Sequence, residues 1–193
     1  MKEVWAEAKL NKKILLFENF QIPEITWEDV MSFVYELSKI EADENLKQRA
    51  ARSFGGNASL FGSVIFKDGY FLFEESYLFP MFKGIARLME KVNGGNSGEK
   101  CDYYASHSSC SCGGQWHIQA LRVSIGEYGV SNHNDPNDVL YWQVLGNSQW
   151  TMNDNVEYIL KPGDLLYFNQ EDVHRVFQDG PRAGIIIDGP RTL

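Results

Sequence analysis

Residues 138–188 alternate between short apolar stretches and turn residues, and no other feature restricts the fold of this 193-residue chain so strongly. Residues 138–145 read as a strand from their β-branched and aromatic content, and Gly146-Asn147 ends it in a turn. A second strand starts at Gln149, residues 153–155 turn the chain, and residues 156–160 are extended. Pro162-Gly163 has the composition of a type II turn. Residues 165–168, 173–177 and 183–188 are further strands, parted by the polar turns 169–172 and 179–181. Short strands at regular spacing with turn signals between them predict a mainly β fold, a jelly roll or barrel.

Two histidines and an aspartate fall on this framework. His133-Asn134-Asp135 is a His-x-Asp pair, and His174 follows the turn Lys161-Pro162-Gly163-Asp164. In an extended strand residues i and i+2 point to the same side, so His133 and Asp135 can reach one ion. Two imidazoles and one carboxylate make the facial triad of a non-haem Fe(II) site. These ligands suit Fe(II) better than thiolates do, and three ligands on one face leave three positions free. A His-x-Asp pair alone is common: His133 can be a loop histidine, Asp135 the cap of an Asp-Pro turn, and His174 a strand histidine. The residues around the three must therefore carry the weight of the reading.

The run "HNDPNDVLYWQVLGNSQW…LKPGDLLYFNQEDVHRV" resembles the Jumonji-C-like branch of the cupin superfamily, the 2-oxoglutarate and Fe(II) dependent oxygenases. The features that carry the resemblance are His133-x-Asp135, Asp138, Gln143, Gly146 with Trp150, Pro162-Gly163-Asp164 and His174. It implies a cupin-like double-stranded β-helix with supporting helices packed on its outside. It also implies Fe(II) held by His133, Asp135 and His174 as the catalytic centre, and 2-oxoglutarate as co-substrate. The far carboxylate of 2-oxoglutarate needs a cation or hydroxyl donors in a dry pocket. Many Jumonji-C-like members place a Lys or Arg two residues after the strand-end glycine, where this chain has Ser148. Arg122 on the strand entering the site and Arg182 at the start of the last strand are alternative anchors, and Tyr141 could add a phenolic hydrogen bond. For either arginine a surface salt bridge is the structural alternative.

The whole chain, 1–193, reads as one domain. Residues 114–193 form the metal-binding part of the barrel, with residues 1–113 as strand and helix support. Residues 13–17 read as a first strand. Thr26 is a plausible N-cap for a helix whose apolar stripe is Val30, Phe33, Val34 and Leu37. Lys67-Asp68-Gly69 joins two apolar runs as a hairpin candidate. Pro80 suits the first turn of a second helix, with Met81, Phe82, Ile85, Leu88, Met89 and Val92 as its stripe and residues 93–96 as its stop. Residues 119–125 read as the strand entering the site and residues 126–131 as the loop before the ligands.

The polar loop 97–114 holds Cys101, His107, Cys110 and Cys112, which could form a Cys3His zinc set. The Cys-x-Cys spacing is less typical than Cys-x-x-Cys, so a flexible loop with free thiols is the favoured reading. His107 and His117 stand outside any motif. Three cysteines cannot complete a disulfide framework, and no hydrophobic signal region follows Met1, so a cytoplasmic location is expected. No apolar run approaches the ~20 residues of a membrane span. The net charge of -8 disfavours nucleic acid, since phosphate tracking needs the opposite sign. A protein or small-molecule substrate is the expected partner, and a homo-oligomer stays open.

Three functions fit these residues: a 2-oxoglutarate-dependent hydroxylase, a cupin-type metalloenzyme that does not use 2-oxoglutarate, and a non-catalytic cupin-like binding protein.

Overall fold

The computed structural model describes residues 1–32, 69–72, 82–94, 116–124, 128–153 and 155–189. In chain order its elements are α1 (Lys2–Leu10), β1 (Leu15–Phe17), β2 (Gly69–Leu72), α2 (Phe82–Val92), β3 (His117–Ser124) and β4 (Tyr128–His133). There follow β5 (Val139–Leu145), β6 (Ser148–Met152), β7 (Val156–Leu160), β8 (Leu165–Phe168), β9 (His174–Gln178) and β10 (Arg182–Asp188). A short helical stretch also covers residues 27–32.

The strands form a six-stranded sheet of order β1-β8-β5-β10-β3-β2 and a four-stranded sheet of order β4-β9-β6-β7. Pairing is antiparallel and nested: β6 pairs with β7, β5 with β8, β4 with β9 and β3 with β10. The chain is thus one long hairpin, with its tip at the β6–β7 turn, rolled up so that alternate rungs fall in opposite sheets. Pairs β5–β10 and β6–β9 seal the roll. This is the mainly β jelly roll that the strand spacing predicts.

Burial follows strand position. β5 is buried along nearly its whole length, which is why its sequence is a continuous apolar run. Leu140, Trp142 and Val144 face an outer core with Trp5, Ala8, Ile85, Leu88 and Val92 of the two helices. Val139 and Tyr141 face the inside of the roll with Trp150, Met152, Phe168 and Val176. β9 lies in the other sheet, which no described helix covers, and alternates buried and exposed residues.

Turn chemistry agrees with the sequence reading. Gly163 has φ of 101°, and Asp164 N donates to Lys161 O at 3.0 Å, closing the Pro-Gly turn. Thr26 Oγ1 accepts from Asp29 N at 3.2 Å while Asp29 Oδ2 accepts from Thr26 N at 2.8 Å, a reciprocal cap for the helix that starts at Trp27. In α2 the stripe residues Ile85, Leu88 and Val92 are buried. Asn93 then clamps the distant Trp116 backbone, accepting from its N–H at 2.9 Å and donating to its carbonyl at 3.2 Å.

Three expectations change. α1 is a helix where the sequence shows only a mixed polar stretch, because just Trp5 and Ala8 of it are buried. Of residues 126–131, expected as a loop, residues 128–131 belong to strand β4, held by β9. The strand also ends at His133, so Asp135 lies beyond it rather than on it. Of the expected hairpin, β2 is described and pairs with β3; its first strand lies outside the described residues. So do Phe33, Val34, Leu37, Cys101, His107, Cys110 and Cys112, and the side chain of His117. Among the described residues no helix is long and apolar enough to cross a membrane.

Candidate metal centre

β4 and β9 bring His133 directly opposite His174. Their ring centroids are 4.2 Å apart. The register shifts between Val130 and His133, a bulge of the kind that re-aims a side chain at a strand end. The chain beyond His133 is tied down on both sides of Asp135. Asn134 Nδ2 donates to Gln170 O at 3.2 Å, and Asp138 Oδ1 accepts from Gln170 N at 3.2 Å. The other Asp138 oxygen meets Lys9 of α1 at 2.6 Å. Asp135 therefore leaves the strand but stays beside the histidines.

Each imidazole has one nitrogen engaged. His133 Nδ1 lies 2.8 Å from Ser131 O, and His174 Nδ1 lies 3.3 Å from Asp172 O. A carbonyl can only accept, so these contacts assign the proton to Nδ1 and leave the Nε2 lone pairs free. Asp135 Oδ2 is 3.6 Å from His174 Nε2. The donor atoms of His133, Asp135 and His174 lie within 4.8 Å of one another. Burial pushes the His174 pKa below its ordinary value; Asp135 opposes the shift, while His133 and Arg122 add to it. The ring is thus held neutral, the form that binds metal. Two imidazole nitrogens and a carboxylate fit a divalent transition metal.

The cluster opens into a cleft of the roll. Arg122, Tyr141, Trp150, Phe168 and Arg182 line it with His133, Asp135 and His174. Arg182 is only 1% exposed. Its Nη1 donates to the Tyr141 hydroxyl at 3.2 Å, its Nε has no hydrogen-bond partner, and no carboxylate pairs with it among the described residues. Gly184 makes room for this contact: a Cβ there would lie 2.0 Å from the Tyr141 hydroxyl oxygen. Arg122 is half-buried and sits opposite Gly184 on β3.

The structure therefore gathers His133, Asp135, His174, Arg122, Tyr141 and Arg182 at one cleft. Ser148 is buried beside it, not in its lining, with its hydroxyl donating to Gln143 Oε1 at 2.7 Å and accepting from Trp150 Nε1 at 2.9 Å. Phe168 was not singled out in the sequence, and Trp150 only as part of a motif. Both share a face with residues two positions away on their strands, and that period is the signal that could have found them.

No family model matches the chain, and no curated protein matches it. Solved structures do. A cupin superfamily protein from Desulfitobacterium hafniense DCB-2 is 22% identical, with a TM-score of 0.36 over 39% of this chain and 69% of that one. A cupin-2 domain containing protein from Shewanella frigidimarina NCIMB 400 is 19% identical, with a TM-score of 0.33 over 40% of this chain and 71% of that one. YcfD, a ribosomal oxygenase from Escherichia coli, is 25% identical, with a TM-score of 0.33 over 40% of this chain and 24% of that one. The nested strand order defines the class, a jelly roll, and His133, Asp135 and His174 give it a candidate metal centre of two histidines and an aspartate.

Proposed function

We propose that this chain is a 2-oxoglutarate and Fe(II) dependent oxygenase that hydroxylates a protein side chain or a small molecule. One observation carries the reading: a buried guanidinium with no carboxylate partner among the described residues shares a cleft with the two-histidine, one-carboxylate cluster. A buried cation is costly unless an anion meets it. A dicarboxylate with one end at the cluster and the other at Arg182 supplies that anion.

The residues then divide the work. His133, Asp135 and His174 would hold Fe(II) on one face. Arg182 would donate to the distal carboxylate, with the Tyr141 hydroxyl beside it. Trp150, Phe168, Val139 and Ile186 keep water from the space between the two ends. When bound, Fe(II) and 2-oxoglutarate would supply oxygen activation coupled to decarboxylation, with succinate as co-product. Ser148 cannot take the role of a basic anchor, and Arg182 replaces it.

Anaerobic titration with Fe(II) and 2-oxoglutarate tests the reading. A visible charge-transfer band is the expected result, lost in His133→Ala and in Asp135→Ala. Metal uptake without the band would indicate a cupin-type metalloenzyme that does not use 2-oxoglutarate, and no uptake a binding protein. Arg182→Met is expected to weaken 2-oxoglutarate binding by about 10- to 100-fold while metal uptake persists, the loss of one charge-assisted hydrogen-bonding group.

A further inference from the structure

We infer that Ser148 is a positioning residue, which sets the orientation of the His174 imidazole through the indole of Trp150. This rests on the reading of His133, Asp135 and His174 as a metal centre, and not on any choice of co-substrate.

The chain of contacts starts at the β5–β6 turn. Gln143 Nε2 donates to Leu145 O at 2.8 Å and to Gly146 O at 3.1 Å, which pins its side-chain amide to the backbone. The turn is itself pinned: a Cβ on Gly146 would lie 2.0 Å from Pro181 O, so β6 starts in contact with the segment that leads into Arg182. With the amide fixed, Gln143 Oε1 faces Ser148 and accepts its hydroxyl proton at 2.7 Å. The Ser148 oxygen in turn accepts the indole N–H of Trp150 at 2.9 Å. Both bonds are buried, with Ser148 2% exposed. A hydroxyl is the one small group that can donate to the amide oxygen and accept from the indole at once.

The indole ends on the ligand. Trp150 stacks on His174 with centroids 5.6 Å apart and an interplanar angle of 28°. Phe168 contacts the same imidazole at 4.6 Å. This contact matters because the hydrogen bond of His174 is weak: its Nδ1 is 3.3 Å from Asp172 O, against 2.8 Å for the corresponding contact of His133. The plane of the His174 ring is set mainly by the aromatic walls, and one wall is aimed by Ser148. Trp150 also packs on Tyr141 at 4.6 Å, so the same indole stands between the metal ligands and the Tyr141–Arg182 pair.

Removal of the hydroxyl leaves the indole N–H without its acceptor and the Gln143 oxygen without its donor in a buried space. The indole then turns to find an acceptor, and His174 loses its wall. Outer contacts of this kind alter metal affinity by about 10- to 100-fold.

The test uses Co(II) as an air-stable probe, read by titration and by its visible absorption bands, on the wild type, Ser148→Ala, Trp150→Phe, the double variant and Ser148→Thr. Trp150→Phe keeps an aromatic ring but deletes the N–H, so it breaks the same link independently of how Ser148→Ala folds. Each single variant is expected to raise the Co(II) dissociation constant by about 10-fold and to shift the bands. The double variant should be no worse than either single, and Ser148→Thr should keep the wild-type bands. Independent, additive losses in the double variant overturn the inference. So does a Ser148→Ala or Trp150→Phe protein with wild-type affinity and spectrum, an outcome that leaves the metal centre standing. A wild-type protein that takes up no Co(II) overturns both.

Discussion

Gly184 shows how one missing atom shapes the cleft. Its neighbours in register, Arg122 on β3 and Gln143 on β5, both carry long side chains, and the gap between them lets the Tyr141 phenol cross β10 to reach Arg182. Gly184→Ala is expected to push the phenol aside and weaken 2-oxoglutarate binding, with Fe(II) or Co(II) affinity retained; calorimetric titration of each ligand separates the two. His174 carries a pH signature. Its folded-state pKa lies below the ordinary 6.5, so the neutral ring stabilises the fold fully above that value, and this contribution is lost as the pH falls below it toward the folded value. The metal-free protein should therefore melt at lower temperature as pH drops from neutrality, and the His174→Gln variant should flatten that slope. Most of the residue-level site was legible in the sequence, because His-x-Asp and the late histidine are separated by recognisable turns. The work of Ser148 was not, since its partners Gln143 and Trp150 are identified by hydrogen-bond geometry across the β5–β6 turn, which spacing does not report.

At the scale of elements, the parts easiest to read were those with strong patterns of their own. β5, β8 and the Pro-Gly turn announce themselves by composition, and α2 by its stripe. β4 does not: residues 126–131 include glycine and serine, and the strand exists because β9 supplies its partner. α1 is also supported from outside. Trp5 donates to Val92 O at 3.0 Å, stacks on Tyr167 at 5.8 Å and meets Trp116 edge-on at the same separation. Trp5→Ala should cost about 3–5 kcal/mol, the usual loss for a large buried aromatic, measured by chemical denaturation. Gly146→Ala should be worse tolerated than a typical glycine substitution. It combines a φ of 67° with a Cβ pressed against the Pro181 carbonyl, and thermal melting is the readout.

For the molecule as a whole, the metal reading makes stability depend on ligand. An ion that binds the folded chain alone adds about 2.7 kcal/mol when present at 100 times its dissociation constant. A rise in melting temperature with Co(II), absent in His133→Ala, is the corresponding observation. The nested hairpin has a further consequence. His133 and Asp135 lie before its tip and His174 after it, so neither half of the chain owns a full set of donors. A backbone cut at the β6–β7 turn would divide the donor set between two fragments, and metal uptake would return only as the fragments found each other again, which makes the ion a reporter of reassembly.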